Sequence, residues 1–242
     1  MTDNSLSFWD VHYYHSVLTD SYSAADHPFA RDFWPKNFRG IRAANQLMMN
    51  ARESVIGNAD KAGDDNHLYD RYKAEARLLR AIFHFDVACW FGDVPIIGDD
   101  ENGLPIVFDP SDTDAMNMER TSGEKALKWI ADECDAVKNQ LPFRYSNEDE
   151  NWGRVNGATA YALKARALLY RASKLHNPDE IASYWQEAAQ AALDFIPENA
   201  QQSNQSKLYT TANNDPNRNY YECFVATPYY TNAYILTRSV WH

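Results

Sequence analysis

The chain has 242 residues, of which 45% are hydrophobic, and its formal net charge at pH 7 is −11. This length and this hydrophobic content predict a folded protein with a substantial core and argue against a disordered chain. The excess of negative charge argues against a nucleic-acid partner, because an acidic surface repels phosphate.

The spacing of apolar residues predicts a mainly helical protein. A weak pattern near residues 8–20 indicates a short helix, and clearer periodicity of three and four residues predicts the helices that follow it. These are expected at 35–54, 66–91, 121–141, 157–175 and 180–196. Thr121 and Glu124 have the spacing of a capping box at the start of the third of these helices. Pro197 is expected to end the last one.

The helix at 66–91 is apolar on two sides and leaves only a narrow polar strip. Its main face comprises Leu68, Tyr72, Ala76, Leu79, Phe83, Val87 and Trp90, and its polar strip comprises Lys73, Arg77, Arg80 and His84. A helix with this much apolar surface must pack against neighbours on two sides. Gly92 is expected to form a left-handed C-cap, and Pro95 prevents the helix from continuing.

The end of the chain has a different pattern. After residue 220, two short segments rich in β-branched and aromatic residues, ECFVAT and AYILTR, predict a strand pair or irregular structure. The alanine-rich helix faces before them are typical of stacked helix pairs of the tetratricopeptide type, although no uniform repeat runs through the chain. We therefore predict one domain over residues 1–242, with a helical core at 34–197 and a less regular part at 198–242.

Three segments resemble the SusD/RagB family of nutrient-binding proteins. AEARLLRAIFHFDVACWFGDVPII at 74–97 is similar to the signature helix and Phe-Gly-Asp-Val-Pro turn of that family. FRGIRAANQLM at 38–48 and GRVNGATAYALKARALLYRAS at 153–173 resemble two further family segments in the same order and spacing. The signature positions in this chain are Ala76, Arg77, Arg80, Phe91, Gly92, Asp93 and Pro95. We expect them to be structural, with both arginines paired to acidic neighbours or helix carbonyl ends.

The resemblance implies a mainly α fold: tetratricopeptide-like stacked helix pairs in a SusD-like α–α superhelix, with a short irregular or β part at the C-terminal end. Family members are surface-facing lipoproteins of the outer membrane of Bacteroidetes. They bind oligosaccharides or other nutrients, work with a TonB-dependent (SusC-like) transporter, and are neither enzymes nor users of a cofactor. This chain shows no signal peptide and no lipid-modified cysteine, so by the resemblance it is expected to be an internal or truncated fragment.

The segment before and at the start of the helix at 35–54 is the predicted ligand-binding region. A sugar requires an aromatic face and fixed polar groups for its hydroxyls. TDSYSAADHPFARDFW, residues 19–34, contains this mixture. The predicted ligand residues are Tyr22, Asp26, Phe29, Arg31, Trp34 and Asn37. The alternative is that Trp34 only packs at the start of its helix.

No metal or catalytic site is predicted from the sequence. His12 and His15 have the spacing of one helix face, but neither a third ligand nor a zinc motif accompanies them. The acidic loops at 99–103 and 109–114 lack EF-hand spacing and are expected to be solvated. Two other functions stay open at this point: a helical-repeat scaffold for a protein partner, and a helical glycoside hydrolase with two facing carboxylates.

Overall fold

The computed structural model describes residues 23, 29–57, 68–109, 111, 113, 117–145, 151–203, 205–211 and 213–225. A π-helical segment, Phe29–Phe33, runs directly into the first of seven α-helices in this part of the chain. The α-helices are α1 Trp34–Asn50, α2 Glu53–Ile56, α3 Leu68–Phe91, α4 Gly123–Val137, α5 Gly157–Ala172, α6 Ala182–Ala200 and α7 Pro216–Val225. The described residues form no strand, and isolated β-bridges pair Val94 with Thr121 and Asp99 with Pro105. The predicted helix near 8–20 and the segment AYILTR lie outside them.

The five long helices form an antiparallel stack in which each contacts the next. Phe33, just before α1, contacts Trp90 at the end of α3. The α4 start lies beside the turn that ends α3, and the connection between α5 and α6 is short. We call the end of the stack that carries the starts of α1, α4 and α6 and the ends of α3 and α5 the upper end. The predicted mainly helical fold of stacked helix pairs is confirmed.

Helix α3 is the inner helix of the stack, because it packs against α1 on one side and α4 on the other. Leu78 and Val87 are fully buried, and the ring of Phe83 lies so close to α1 that a Cβ at Gly40 would be 2.6 Å from it. The side chains that face outward are not the predicted polar ones. Leu79 and Trp90 are exposed, whereas Arg80 and His84 of the polar strip are fully buried.

The buried Arg80 guanidinium joins four parts of the fold. Its Nη1 donates to Asn45 Oδ1 in α1 at 3.0 Å and to Asp99 Oδ1 in the following loop at 2.7 Å. Its Nη2 donates to Glu133 Oε2 in α4 at 2.6 Å. Arg77 donates to the same Glu133 carboxylate through Nε and Nη2. Both signature arginines are therefore paired with acidic side chains, as expected, and these two cations are balanced by two carboxylates.

His84 is held neutral in the same buried layer. Its Nδ1 is 2.8 Å from the Arg80 carbonyl, and the Ile97 N–H lies 3.1 Å from Nε2. The two contacts fit one tautomer, in which Nδ1–H donates to the carbonyl and Nε2 accepts from the amide. Burial, with a smaller contribution from the charge of Arg80, lowers the pKa of His84 to about 4. The Ile97 segment is thus fixed to α3 by an uncharged imidazole.

Gly92 ends α3 as predicted, with φ of +71°, and the chain reverses there. The capping box predicted for the next helix is wrong. The Thr121 backbone pairs with Val94 in a β-bridge, and the N–H of Gly123 donates to the Asp93 carboxylate at 2.8 Å. The start of α4 is therefore capped from the preceding turn, which a local sequence pattern does not reveal.

Two boundary predictions near the C-terminal end are also wrong. Pro197 lies inside α6, which continues to Ala200. Proline removes one helical hydrogen bond there, close to the helix end, where the freed carbonyl is accessible to water. Residues 222–225 of the segment ECFVAT belong to α7 and not to a strand. Pro216 suits the first turn of that helix, and the pair between Arg218 and Glu222, four residues apart, favours it further.

Replacing Arg80 with methionine is expected to destabilise the protein strongly. Arg80→Met leaves the Asp99 carboxylate and part of Glu133 without a partner, and such a loss costs about 3 kcal/mol or more in the free energy of unfolding. Lys128→Met is the control, because it breaks an exposed pair with Asp132 whose loss costs at most about 1 kcal/mol. Urea unfolding measures the loss in the free energy of unfolding for each variant. Equal losses would contradict a structural role for Arg80 and its partners.

The His84 imidazole is expected to make the folded state sensitive to acid. Its pKa in the folded protein, about 4, lies below the ordinary value of 6.5, so the unfolded chain binds the proton more readily. The contribution of neutral His84 to the free energy of unfolding is therefore fully present above pH 6.5, and it is lost as the pH falls towards 4. Between pH 7 and pH 4.5 we expect wild type to lose about 2 to 3 kcal/mol more than His84→Gln does. Parallel stability profiles for the two proteins would disprove this.

Candidate functional site

Five aromatic side chains meet at the upper end, and we call them the upper aromatic cluster. The ring centroids of Trp34 and Phe38 are 4.7 Å apart, and Trp34 meets Phe91 edge to face at 5.0 Å. Phe33 meets Trp90 edge to face at 6.0 Å. The cluster therefore joins the start of α1 to the last turn of α3.

Local sequence places these rings at the two helix ends. Pro35 lies in the first turn of α1, where its missing N–H is harmless, and Phe33 and Trp34 directly precede it. At the other helix, Gly92 adopts its left-handed conformation directly after Trp90 and Phe91. One pair of rings therefore lies at the start of α1, and the other lies at the chain reversal that ends α3. The antiparallel packing of α1 and α3 then brings the two ends together.

The cluster has a packed base and one ring that faces solvent. Trp34 and Phe91 are half-buried and contact the hydrophobic core, whereas 57% of the Trp90 surface is exposed. An aromatic ring that is held at one edge and open on its surface can stack against the C–H face of a sugar. The arrangement is therefore chemically suited to binding a glycan without any covalent step.

Arg120 supplies hydrogen-bond donors near these rings, and Arg31 lies three residues before Trp34 in the chain. The Arg120 guanidinium lies over the Trp34 ring, 5.9 Å from its centroid, and the Arg120 side chain is exposed. Arg31 is exposed in the π-helical segment, with its Nε 3.9 Å from Asp32 Oδ1. A guanidinium carries five N–H donors, which suits the hydroxyl oxygens of a bound sugar.

The structure gives the predicted ligand residues different surroundings. Asn37 is buried, and its amide donates to the Phe33 carbonyl at 2.9 Å, which fixes the start of α1. Trp34 forms part of the upper aromatic cluster, and Arg31 is exposed three residues before it in the chain. Phe29 begins the π-helical segment. Tyr22 and Asp26 lie outside the described residues.

Trp90 is the residue that the sequence reasoning did not select. The helical periodicity placed it on the packing face of α3 with Val87, and Val87 is indeed fully buried. Trp90 lies one turn further along, at the helix end, where the facing helix α1 is only beginning. Its position directly before the terminating Phe91–Gly92 pair was the available indication that this ring extends beyond the packed region.

The acidic loop at 99–103 serves the fold. In the loop at 99–103, Asp99 pairs with Arg80, and Asp100 Oδ1 accepts hydrogen bonds from the Asn102 and Leu104 amides. These backbone hydrogen bonds lower the pKa of Asp100. Among the described residues, no group of three or more His, Cys, Asp or Glu side chains is arranged to hold a metal ion. His12 and His15 lie outside this part of the chain.

None of the helices in the described ranges combines the length and the apolar character needed to cross a membrane.

Comparison with solved structures shows the same fold in several proteins. A SusD-like protein from Bacteroides fragilis matches with a TM-score of 0.58 and 20% identity, over 88% of this chain and 34% of that one. A SusD-like carbohydrate-binding protein from the same species matches with a TM-score of 0.52 and 23% identity, over 72% and 28%. A laminarin-binding SusD-like protein matches with a TM-score of 0.56 and 20% identity, over 85% and 37%.

These similarities establish the fold, and the chain spans only about a third of the length of each of these proteins. A search of curated proteins gives no match. A family model for SusD-like proteins, described as starch-binding and associating with the outer membrane, matches residues 1–170. Because this match covers more than half of the chain, the protein belongs to the SusD-like family.

Proposed function

We propose that this chain is the helical part of a non-catalytic glycan-binding protein that works in oligosaccharide uptake. Family membership carries the proposal, since the family is described as starch-binding and associating with the outer membrane. One structural neighbour is named as carbohydrate-binding and another as laminarin-binding. The upper aromatic cluster supports the same function, because it offers a half-exposed ring on a rigid base.

Binding in this proposal is stacking combined with polar selection. The exposed surface of Trp90 takes the C–H face of a pyranose ring, and Arg120 and Arg31 donate hydrogen bonds to its hydroxyls. Trp34 and Asn37 hold the cluster and the start of α1 in place. Because these rings are fixed by packing before the ligand arrives, little conformational freedom is lost on binding.

The segment that precedes α1 is part of the proposed surface. Tyr22, Asp26 and Phe29 are the side chains that the sequence indicates for it. They supply two further rings and a carboxylate, which accepts hydrogen bonds from sugar hydroxyls. We place the protein on the cell surface as an outer-membrane lipoprotein, with a TonB-dependent, SusC-like transporter as its partner.

Loss of the Trp90 ring is expected to weaken glycan binding without unfolding the protein. Calorimetry of the chain with maltoheptaose and with laminarihexaose provides the measurement. For the oligosaccharide that binds, Trp90→Ala is expected to raise Kd at least about tenfold, which corresponds to 1.4 kcal/mol. Tyr221→Ala is the matched control, because that ring is similarly exposed on α7 and outside the cluster. Equal affinity in wild type and Trp90→Ala would show that the cluster is not the binding site.

The same samples distinguish a binding protein from a glycoside hydrolase. The proposal predicts that the number of reducing ends stays constant during long incubation with either oligosaccharide. An increase that tracks the protein concentration would make the chain an enzyme and overturn the proposal.

The transporter partnership predicts a specific co-purification. The affinity-tagged protein, expressed in its native outer membrane and extracted in mild detergent, is expected to carry a TonB-dependent transporter in stoichiometric amount. An unrelated tagged outer-membrane lipoprotein is the control. Recovery of the tagged protein without any such transporter would contradict the partnership and leave the binding proposal intact.

A further inference from the structure

A second cleft at the upper end lies on the opposite side of the α3 terminus from the upper aromatic cluster. Its volume is about 350 Å³, and it lies between the end of α3, the start of α4, the end of α5 and the start of α6. Cys89 lines it, whereas the next residue, Trp90, belongs to the cluster. Consecutive helix residues point about 100° apart, so the last turn of α3 contributes to both places.

We propose that this cleft is a second sugar-binding site, in which an uncharged pyranose ring stacks on Trp185. The inference rests on the proposed function, and it adds a site and a ligand class to it. Trp185 is 51% exposed and lines the cleft from the first turn of α6. Together with the neighbouring Tyr170 ring it offers an aromatic surface of the kind that binds the C–H face of a sugar.

The lining of the cleft favours an uncharged ligand. No aspartate, glutamate, lysine or arginine lines it, and most of the lining side chains are aliphatic or aromatic. Burial raises the pKa of the Cys89 thiol to about 11, so this group is also uncharged at neutral pH. A carboxylate or sulfate placed here would lose solvation and find no arginine or lysine in the lining, since Arg166, the cation near Cys89, lies over the Tyr170 ring and outside the lining. Neutral hexoses avoid this cost.

Polar groups at the cleft match sugar hydroxyls. Within the described part of the chain, the His176 imidazole makes no hydrogen bond, and it lines the cleft. Its position is fixed by close packing on Gly123, where an added Cβ would lie 2.7 Å from the imidazole. The Ser173 hydroxyl donates to the Tyr170 carbonyl and keeps its oxygen available as an acceptor.

The frame around the cleft is rigid before any ligand binds. Arg171 of α5 donates to Glu124 of α4 and to Glu187 of α6, each at 2.7 Å, so one side chain holds three helices. The same guanidinium lies 3.6 Å from the centroid of the Tyr184 ring, next to Trp185 in sequence. Asn177 fixes the connection between α5 and α6, because its side-chain oxygen accepts a hydrogen bond from the Ile181 N–H at 2.8 Å. A preformed stacking surface of this kind reduces the cost of binding.

Fluorine NMR of the 242-residue chain tests the site directly. The tryptophans are replaced with 5-fluorotryptophan, and the Trp90 and Trp185 resonances are assigned from Trp90→Phe and Trp185→Phe. Maltotriose and laminaritriose are the probes, because a trisaccharide is short enough to report on single sites. We expect the Trp185 resonance to shift saturably with at least one of them, and to do so equally in Trp90→Ala.

Three variants sharpen the test. His176→Ala is expected to weaken the affinity measured at Trp185 about fivefold, in line with the loss of one hydrogen bond. Leu193→Ala, an exposed residue of α6 outside the cleft, is expected to leave it unchanged. Trp185→Ala is expected to abolish one of two binding events and to leave the Trp90 response intact.

The possible failures are distinguishable. A shift at Trp90 with none at Trp185 would disprove the second site and preserve the proposed function. No response at either ring would contradict both. Equal shifts with trigalacturonic acid would overturn the assignment to neutral sugars. A Trp185 resonance that depends on protein concentration and not on sugar would make this surface a contact between copies and would disprove the proposal.

Discussion

The pairing of one buried guanidinium determines how the central helices fit together. Arg80 is fully buried, and a buried charge is tolerated only when its partners are in place. Those partners come from α1, from the loop after α3 and from α4, so the three elements must adopt one arrangement around α3. Asn45 extends this order, because its amide also donates to the Ile97 and Ile106 carbonyls of the loop. These hydrogen bonds fix how α1, α3 and α4 are aligned, and the carboxylates among the partners balance the buried charge.

The helix ends carry the surfaces that the scaffold presents. Gly92 stops α3 abruptly, and Asp93 then caps α4 across the reversal. These turns keep the exposed Trp90 and the start of α4 at fixed positions. At the neighbouring reversal, Asn177 and Arg171 do the same for the start of α6. Aromatic rings with exposed faces therefore rest on rigid supports, which is the general requirement for a preorganised binding surface.

Fold and ligand are separate matters in this family. Structural neighbours that share about a fifth of their residues with this chain have the same helical stack. The packing of helices accounts for the common fold, whereas recognition depends on particular side chains, which we propose to lie at the upper end of this chain. Exposed aromatic surface is present there in this chain, at Trp90 and at Trp185. It is consistent with sugar recognition by stacking in a protein whose overall charge is −11.

The sequence by itself determined the helical class, the position of the inner helix and its termination at Gly92, because periodicity and glycine chemistry are local properties. It also indicated the family through the segment at 74–97, and the importance of Arg77 and Arg80 through that resemblance. Tertiary structure decided the remainder. It buried Arg80 of the polar strip of α3, because its partners Glu133 and Asp99 come from other segments. It capped α4 with Asp93 in place of the predicted capping box. It exposed Trp90, because helix periodicity defines a face but not where the facing helix begins. Contacts between residues distant in sequence set each of these outcomes, and local patterns do not encode them.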